Sequence, residues 1–161
     1  MIVIVMGVVG SGKTTVGKLL AEQLGWDFAD ADDYHSASNV EKIKKGIGLN
    51  ESDREPWLES LRAAIIQWIA QGKNVVLACS ALKRSYRRKL EPGPGVRFVY
   101  LKGSSDLIAA RLGSRHGHFA DTKILASQFE DLEEPDRAVT VDIAKPPDEI
   151  VAEIRKQLAL E

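Results

Sequence analysis

The chain opens on five consecutive apolar residues, Ile2-Val3-Ile4-Val5-Met6, with no polar position among them. A strand with one face in water alternates apolar and polar positions. An unbroken β-branched run predicts instead a strand buried on both faces, as in a parallel sheet covered by helices. Similar short runs at 26–29, 74–79, 97–101 and 138–143 predict four more strands. Between them the apolar spacing changes to that of a helix. Val16, Leu19, Leu20 and Leu24 form a stripe on a helix over 13–24, which Gly25 ends. A polar helix is expected over 38–45, closed by Gly46, and a long one over 52–71 with Trp57, Leu58, Leu61, Ile65, Trp68 and Ile69 as core. A basic helix runs to Leu90. Helices over 105–112 (Leu107, Ile108 and Leu112 inward) and 147–158 (Ile150, Val151, Ile154 and Leu158 inward) complete the set, and the polar segment 113–135 is partly helical. Strands alternating with helices predict an α/β fold, a three-layer α/β/α sandwich around a five-stranded parallel sheet, in one domain over 1–161. In such sheets ligands bind beyond the carboxyl ends of the strands.

Composition narrows the function classes. With 22 basic and 23 acidic residues the net charge is −1, which lacks the clustered basic excess of a nucleic-acid surface. The apolar run at the start is far shorter than the roughly 20 residues that span a bilayer, and it has no basic leader. Cys79 is the single cysteine, so no internal disulfide forms. A soluble, cytoplasmic protein that binds neither membrane nor nucleic acid is expected. Glu91-Pro92-Gly93-Pro94-Gly95 is a turn rather than a domain linker.

The sharpest chemical signal follows the first strand. Gly7-Val8-Val9-Gly10-Ser11-Gly12-Lys13-Thr14 matches G-x-x-x-x-G-K-[ST], with a strand before it and a helix after it. Glycines let backbone N–H groups converge on phosphate oxygens, and the helix N-terminus, carrying Lys13, Thr14 and Thr15, adds a favourable dipole. Lys13 would reach the β- and γ-phosphates of ATP, and the Thr14 hydroxyl would ligate Mg²⁺. No Asn-Lys-x-Asp guanine motif is present, and the strand at 74–79 ends in Ser80 rather than a magnesium-binding Asp. The acids come earlier, in Asp30-Ala31-Asp32. On extended chain these two carboxylates share a face, with Asp33 turned away. One would hold a magnesium-bound water and the other would orient or deprotonate a substrate hydroxyl; a solvated acidic loop is the alternative. His35 follows on the same loop.

The blocks at 28–35 (Phe28-Ala29-Asp30-Ala31-Asp32-Asp33-Tyr34-His35), 39–42, 49–58, 79–87, 117–119 and 127–135 resemble the thermoresistant-type gluconokinases, in order and over nearly the whole chain. Val9 and Ser36 stand where that family often has Ser and Pro. The resemblance implies a P-loop kinase fold like the shikimate and nucleoside-monophosphate kinases, with a lid. It implies transfer of the ATP γ-phosphoryl group to the 6-hydroxyl of D-gluconate, commonly by a homodimer. It also implies Asp30 as the magnesium-water carboxylate, Asp32 as the hydroxyl carboxylate, and Arg54, Lys83 and Arg87 as candidates for the substrate carboxylate or the transferred phosphate.

A sugar acid needs a basic anchor, for which the planar fork of Arg54 is suited; a surface ion pair with a neighbouring acid is its rival. The substrate segment is expected over 32–60. The lid is expected over 113–135, with hinge freedom at Gly113 and Gly117. Arg111 and Arg115 would clamp phosphates there, with an ion pair the rival for Arg111, and His118 and Phe119 would cover the substrate. His116 and His118 alone make a poor metal site. The purine is expected between the base of the lid and 143–147. Another small-metabolite kinase, such as a shikimate kinase, and a non-catalytic nucleotide-binding domain are the competing functions.

Overall fold

The structure is a computed structural model. It describes the backbone of residues 1–115 and 119–160, and the side chains of these apart from 114, 115 and 119–122. In chain order the elements are β1 (Ile2–Met6), α1 (Lys13–Leu24), β2 (Asp27–Asp30), a 3₁₀ turn (Ala31–Tyr34), α2 (Ala37–Lys44), α3 (Glu51–Ala70) and β3 (Val75–Ala78). There follow α4 (Arg84–Leu90), β4 (Val96–Lys102), α5 (Ser105–Arg115), α6 (Phe119–Asp131), β5 (Val139–Asp142) and α7 (Pro147–Gln157).

The five strands form one parallel sheet in the order β2-β3-β1-β4-β5. Every residue of β1 is fully buried. Alternation along it builds two cores. Val3 and Val5 face a layer containing Leu20 of α1, Ile108 of α5 and Ile150 and Ile154 of α7. Ile2, Ile4 and Met6 face Leu58, Leu61 and Ile65 of α3 and Leu90 of α4. The expected three-layer sandwich is therefore present.

The register positions the chemistry. Val5 pairs with Ala78, and Ala78 with Asp30, so the end of β2 lies level with the place where β1 gives way to the glycine-rich loop. Strand order reverses at β1, and such a switch point opens a crevice above the strand ends.

Two elements depart from expectation. β2 begins at Asp27 rather than Trp26. Gly25 ends α1 in a left-handed turn, and the Trp26 N–H is committed to Ala21 O at 2.9 Å, so pairing with the sheet side starts one residue later, with Asp27 N–H on Asn74 O. In α3, Ile69 is 39 % exposed, not core; the buried stripe ends at Ile65, with Trp68 partly buried against it. The helix starts at Glu51 because Asn50 and Asp53 form a reciprocal capping box.

Candidate active site

β1 delivers the glycine-rich loop into the crevice. Gly10 (φ 79°) and Gly12 (φ 96°) take left-handed backbone that side chains disfavour, and a Cβ on Gly10 would also meet Leu112 at 2.9 Å. Gly12 caps α1 without any side-chain hydrogen bond, and among the described residues no side chain accepts from the first-turn N–H groups of Lys13, Thr14 and Thr15. That is an anion site made of backbone. Ser11 turns inward instead: its N–H donates to Val8 O at 3.2 Å, and its buried Oγ, without a hydrogen-bond partner among the described residues, packs against Gly7. The Lys13 ammonium donates to Val8 O at 3.0 Å. Burial pushes its pKa down, while the Asp32 carboxylate is the foremost group opposing that fall.

Asp30 and Asp32 both line the cleft, but not by the expected route. Asp32 lies on the 3₁₀ turn rather than on extended chain. The turn forms because Asp30 Oδ1 accepts the Asp32 N–H at 3.0 Å, an Asp side chain capping the backbone two residues on. Asp30 Oδ2 accepts from Thr14 Oγ1 at 3.1 Å. Burial raises the Asp32 pKa, the neighbouring Asp30 charge adds to the rise, and Lys13 and His35 oppose it.

His35 lines the same cleft, stacked on Trp57 with ring centroids 4.5 Å apart and planes 11° from parallel. Asn39 Nδ2 approaches His35 Nδ1 at 3.2 Å and donates to Asp53 O at 2.7 Å. With Nδ1 accepting, Nε2 carries the proton of the neutral ring. Burial lowers the His35 pKa, which favours that neutral form. Trp57 donates its indole N–H to Ala31 O at 2.8 Å, locking the wall to the acidic turn. Trp57 was expected as core alone; its place in the α3 stripe carries no sign of this second role.

Arg54 also lines the cleft. Consecutive helix residues point about 100° apart. Asp53 accordingly faces Lys42 at 2.9 Å, whereas Arg54 Nη1 donates to Tyr86 OH at 2.8 Å and Nη2 meets Asp131 Oδ2 at 3.3 Å. Glu51 accepts from both Tyr86 OH and Lys83 Nζ at 2.8 Å. Lys83 thus stands beside the cleft on an ion pair, and is not among its lining residues.

Arg87 corrects the expectation of a substrate ligand. It is buried, and its guanidinium donates to Ala81 O (2.7 Å), Leu82 O (3.1 Å) and Glu133 O (2.8 Å). Ala81 has φ 46°, a left-handed alanine, so Arg87 pins a strained loop whose neighbour Ser80 lines the cleft. Replacing Arg87 with Leu leaves buried carbonyls unpaired and is expected to cost about 2–4 kcal/mol of unfolding free energy in a denaturant titration. An Arg87 that bound substrate would instead leave stability intact and raise the acceptor KM.

Of the lid residues, Arg111 donates from Nη2 to Ile143 O at 2.5 Å, tying α5 to the chain after β5. None of 143–147, where the purine was expected, lines the cleft. Gly113 lies inside α5 rather than in a hinge loop. The Arg115 and Phe119 side chains and residues His116, Gly117 and His118 lie outside the described residues. From α6 come Lys123, Ile124, Ser127 and Gln128, which close one side of the cleft, and Gln128 Oε1 accepts the Val9 N–H at 2.6 Å. Gln128 was expected only as part of the 127–135 block.

These groups share one cleft of about 790 Å³. An anion cradle with Lys13 shares this cleft with the solvent-accessible carboxylate of Asp32, an arginine and a stacked aromatic wall. Thr14 and Asp30, a hydroxyl and a carboxylate in contact, suit Mg²⁺, a hard ion that takes one or two protein oxygens alongside phosphate and water. Among the described residues no cluster of three or more His, Cys, Asp or Glu forms an all-protein metal cage.

A family model described as shikimate kinase matches residues 9–159. The thermoresistant gluconokinase of Escherichia coli is 44 % identical over 156 residues, covering 94 % of this chain and 89 % of that one. A gluconokinase crystal structure from Sinorhizobium meliloti is 46 % identical and superposes with a TM-score of 0.86 over 98 % of this chain and 90 % of the other. The shikimate kinase structure from Aquifex aeolicus, 19 % identical with a TM-score of 0.60 over 99 % and 96 % of the two chains, shares the fold alone. Within that wider group of P-loop kinases, the chain belongs to the gluconokinase family.

Proposed function

We propose that this protein transfers the γ-phosphoryl group of ATP to the 6-hydroxyl of D-gluconate, giving 6-phospho-D-gluconate and ADP. The observation that carries the reading is the juxtaposition of Asp32, Lys13 and Arg54 in one cleft with the uncapped N-terminus of α1. The names of the relatives support gluconate as the acceptor.

The geometry supports the following roles. The first-turn N–H groups of α1 hold the inner phosphates, and Lys13 follows the charge of the moving group. Asp32 accepts the proton of the 6-hydroxyl as its oxygen bonds to Pγ. The bond from Pγ to the β–γ bridging oxygen breaks, its electron pair leaves with ADP, and the proton passes to solvent. Thr14 and Asp30 would hold Mg²⁺, Asp30 through water, and the ion would supply charge neutralisation for the phosphates. Arg54 pairs with the gluconate carboxylate, and the His35–Trp57 stack packs against its carbon chain while His35 Nε2–H donates to a hydroxyl.

Arg115 and His118 act from a lid over 113–135, with Arg111 at its base, and Lys83 supports the rim. The same reading includes a homodimer in the cytoplasm. The near-neutral charge supports a small-molecule partner rather than nucleic acid, and among the described residues no helix is long and apolar enough to cross a membrane.

Shikimate as acceptor is disfavoured by Ser80-Ala81-Leu82-Lys83, which stands after β3 where a shikimate kinase carries a triple-glycine loop. The test is ADP release with Mg²⁺-ATP and D-gluconate. Gluconate-dependent turnover is expected, and its absence contradicts the reading.

A further inference from the structure

We infer that Gln128 of α6 is a catalytic residue: its side-chain amide donates a hydrogen bond to the phosphoryl group in transfer. The inference rests on the kinase reading above and adds a contact to it.

The geometry fixes which end of the carboxamide faces where. The partner of Gln128 is the Val9 N–H, a donor, so the atom 2.6 Å away must be the carbonyl Oε1. The Nε2 end, with two hydrogens, is therefore the free end. Among the described residues it has no hydrogen-bond partner, although Gln128 is half-buried and lines the cleft. A half-buried amide held by one end and unpaired at the other is preorganised for a ligand acceptor.

The position of that amide relative to Lys13 identifies the ligand atom. The Val8 carbonyl that receives the Lys13 ammonium at 3.0 Å and the Val9 N–H that meets Gln128 belong to the same peptide unit. One peptide thus carries the lysine on its oxygen side and the glutamine on its nitrogen side. A lysine in this motif contacts the β- and γ-phosphates. The inner phosphates lie along the N–H groups of Lys13, Thr14 and Thr15, so the outer γ-phosphoryl group is the one that meets the loop's tip, where Gln128 stands. Three residues further along α6, on the same face, Asp131 meets Arg54 at 3.3 Å. One face of α6 therefore touches both the phosphate loop and the arginine proposed for the acceptor.

Gln128→Glu separates this role from loop support. The glutamate still offers an oxygen to the Val9 N–H, but it replaces the amide donor by a carboxylate facing phosphate. The expected result is a kcat lower by roughly 100-fold, the scale of one lost transition-state donor. ATP affinity should weaken about tenfold or more relative to ADP, as charge repulsion at the γ-phosphate requires, with the melting temperature kept. Gln128→Ala should lose turnover on a similar scale. If Gln128→Glu keeps the wild-type kcat and the wild-type ratio of ATP to ADP affinity, the inference is overturned. Equal weakening of both nucleotides together with a lower melting temperature overturns it too, because the residue then only shapes the loop. If wild-type protein ignores gluconate, the acceptor reading fails, and the ATP-to-ADP affinity ratio of the variant still decides the role of Gln128.

Discussion

Asp32→Asn is expected to lower kcat by about 10²–10⁴-fold while the KM for ATP stays within a few-fold, the scale of a lost general base. The substitution is nearly isosteric. It leaves intact the Asp32 N–H bond to Asp30 Oδ1 that forms the 3₁₀ turn, so the loop keeps its shape. What disappears is the carboxylate, whose pKa is raised by burial and by Asp30, making it a better proton acceptor than a solvated aspartate. A second route to lost activity exists. Asp32 is the foremost group keeping Lys13 charged against its burial, so in Asp32→Asn the Lys13 pKa falls further. The two routes have opposite pH signatures. Lowering the pH favours the charged form of Lys13 and would raise turnover if only the lysine were at fault, whereas a missing base is not replaced at any pH. Steady-state kinetics across pH therefore assign the loss, and wild-type turnover in the variant would remove Asp32 from the chemistry.

Lys13→Ala is expected to cost roughly 10²–10³-fold in turnover with every acceptor, the scale of one donor removed from a developing charge. The ammonium stands in the anion cradle 3.0 Å from Val8 O and meets phosphate charge that shifts toward the β–γ bridging oxygen as transfer proceeds. Burying an ammonium is itself costly, so its removal should leave the melting temperature unchanged or higher. Activity falling while stability holds is the signature of a group kept for chemistry. A parallel fall in both would make Lys13 a support of the loop, and comparison of kcat with thermal unfolding distinguishes the two.

Much of this was legible along the chain, for identifiable reasons. The β1 run is buried on both faces, so its pattern had one interpretation, and the glycine-rich loop carries its spacing in order. What escaped depends on a side chain choosing between partners. Asp30-Ala31-Asp32 reads as extended until Asp30 accepts the Asp32 N–H and bends it into a turn. Arg87 sits on a basic helix face like its neighbours, and nothing local announces that Glu133, far along the chain, offers it a carbonyl. Trp57 falls in an apolar stripe and is indeed buried, yet its ring also carries the stack with His35. Arg54 is a candidate that the resemblance implies and the chemistry of a carboxylate anchor supports, and the helix turns it away from Asp53 into the cleft.

The central claim is the identity of the acceptor. The measurement that meets it most directly is ADP release with Mg²⁺-ATP across D-gluconate, related aldonic acids, shikimate, free sugars and nucleoside monophosphates at equal concentration. The account predicts strong turnover selective for D-gluconate, with free sugars, which lack the carboxylate for Arg54, well below it. Preferential turnover of shikimate or a nucleoside monophosphate, or turnover of free sugars equal to that of gluconate, would contradict it.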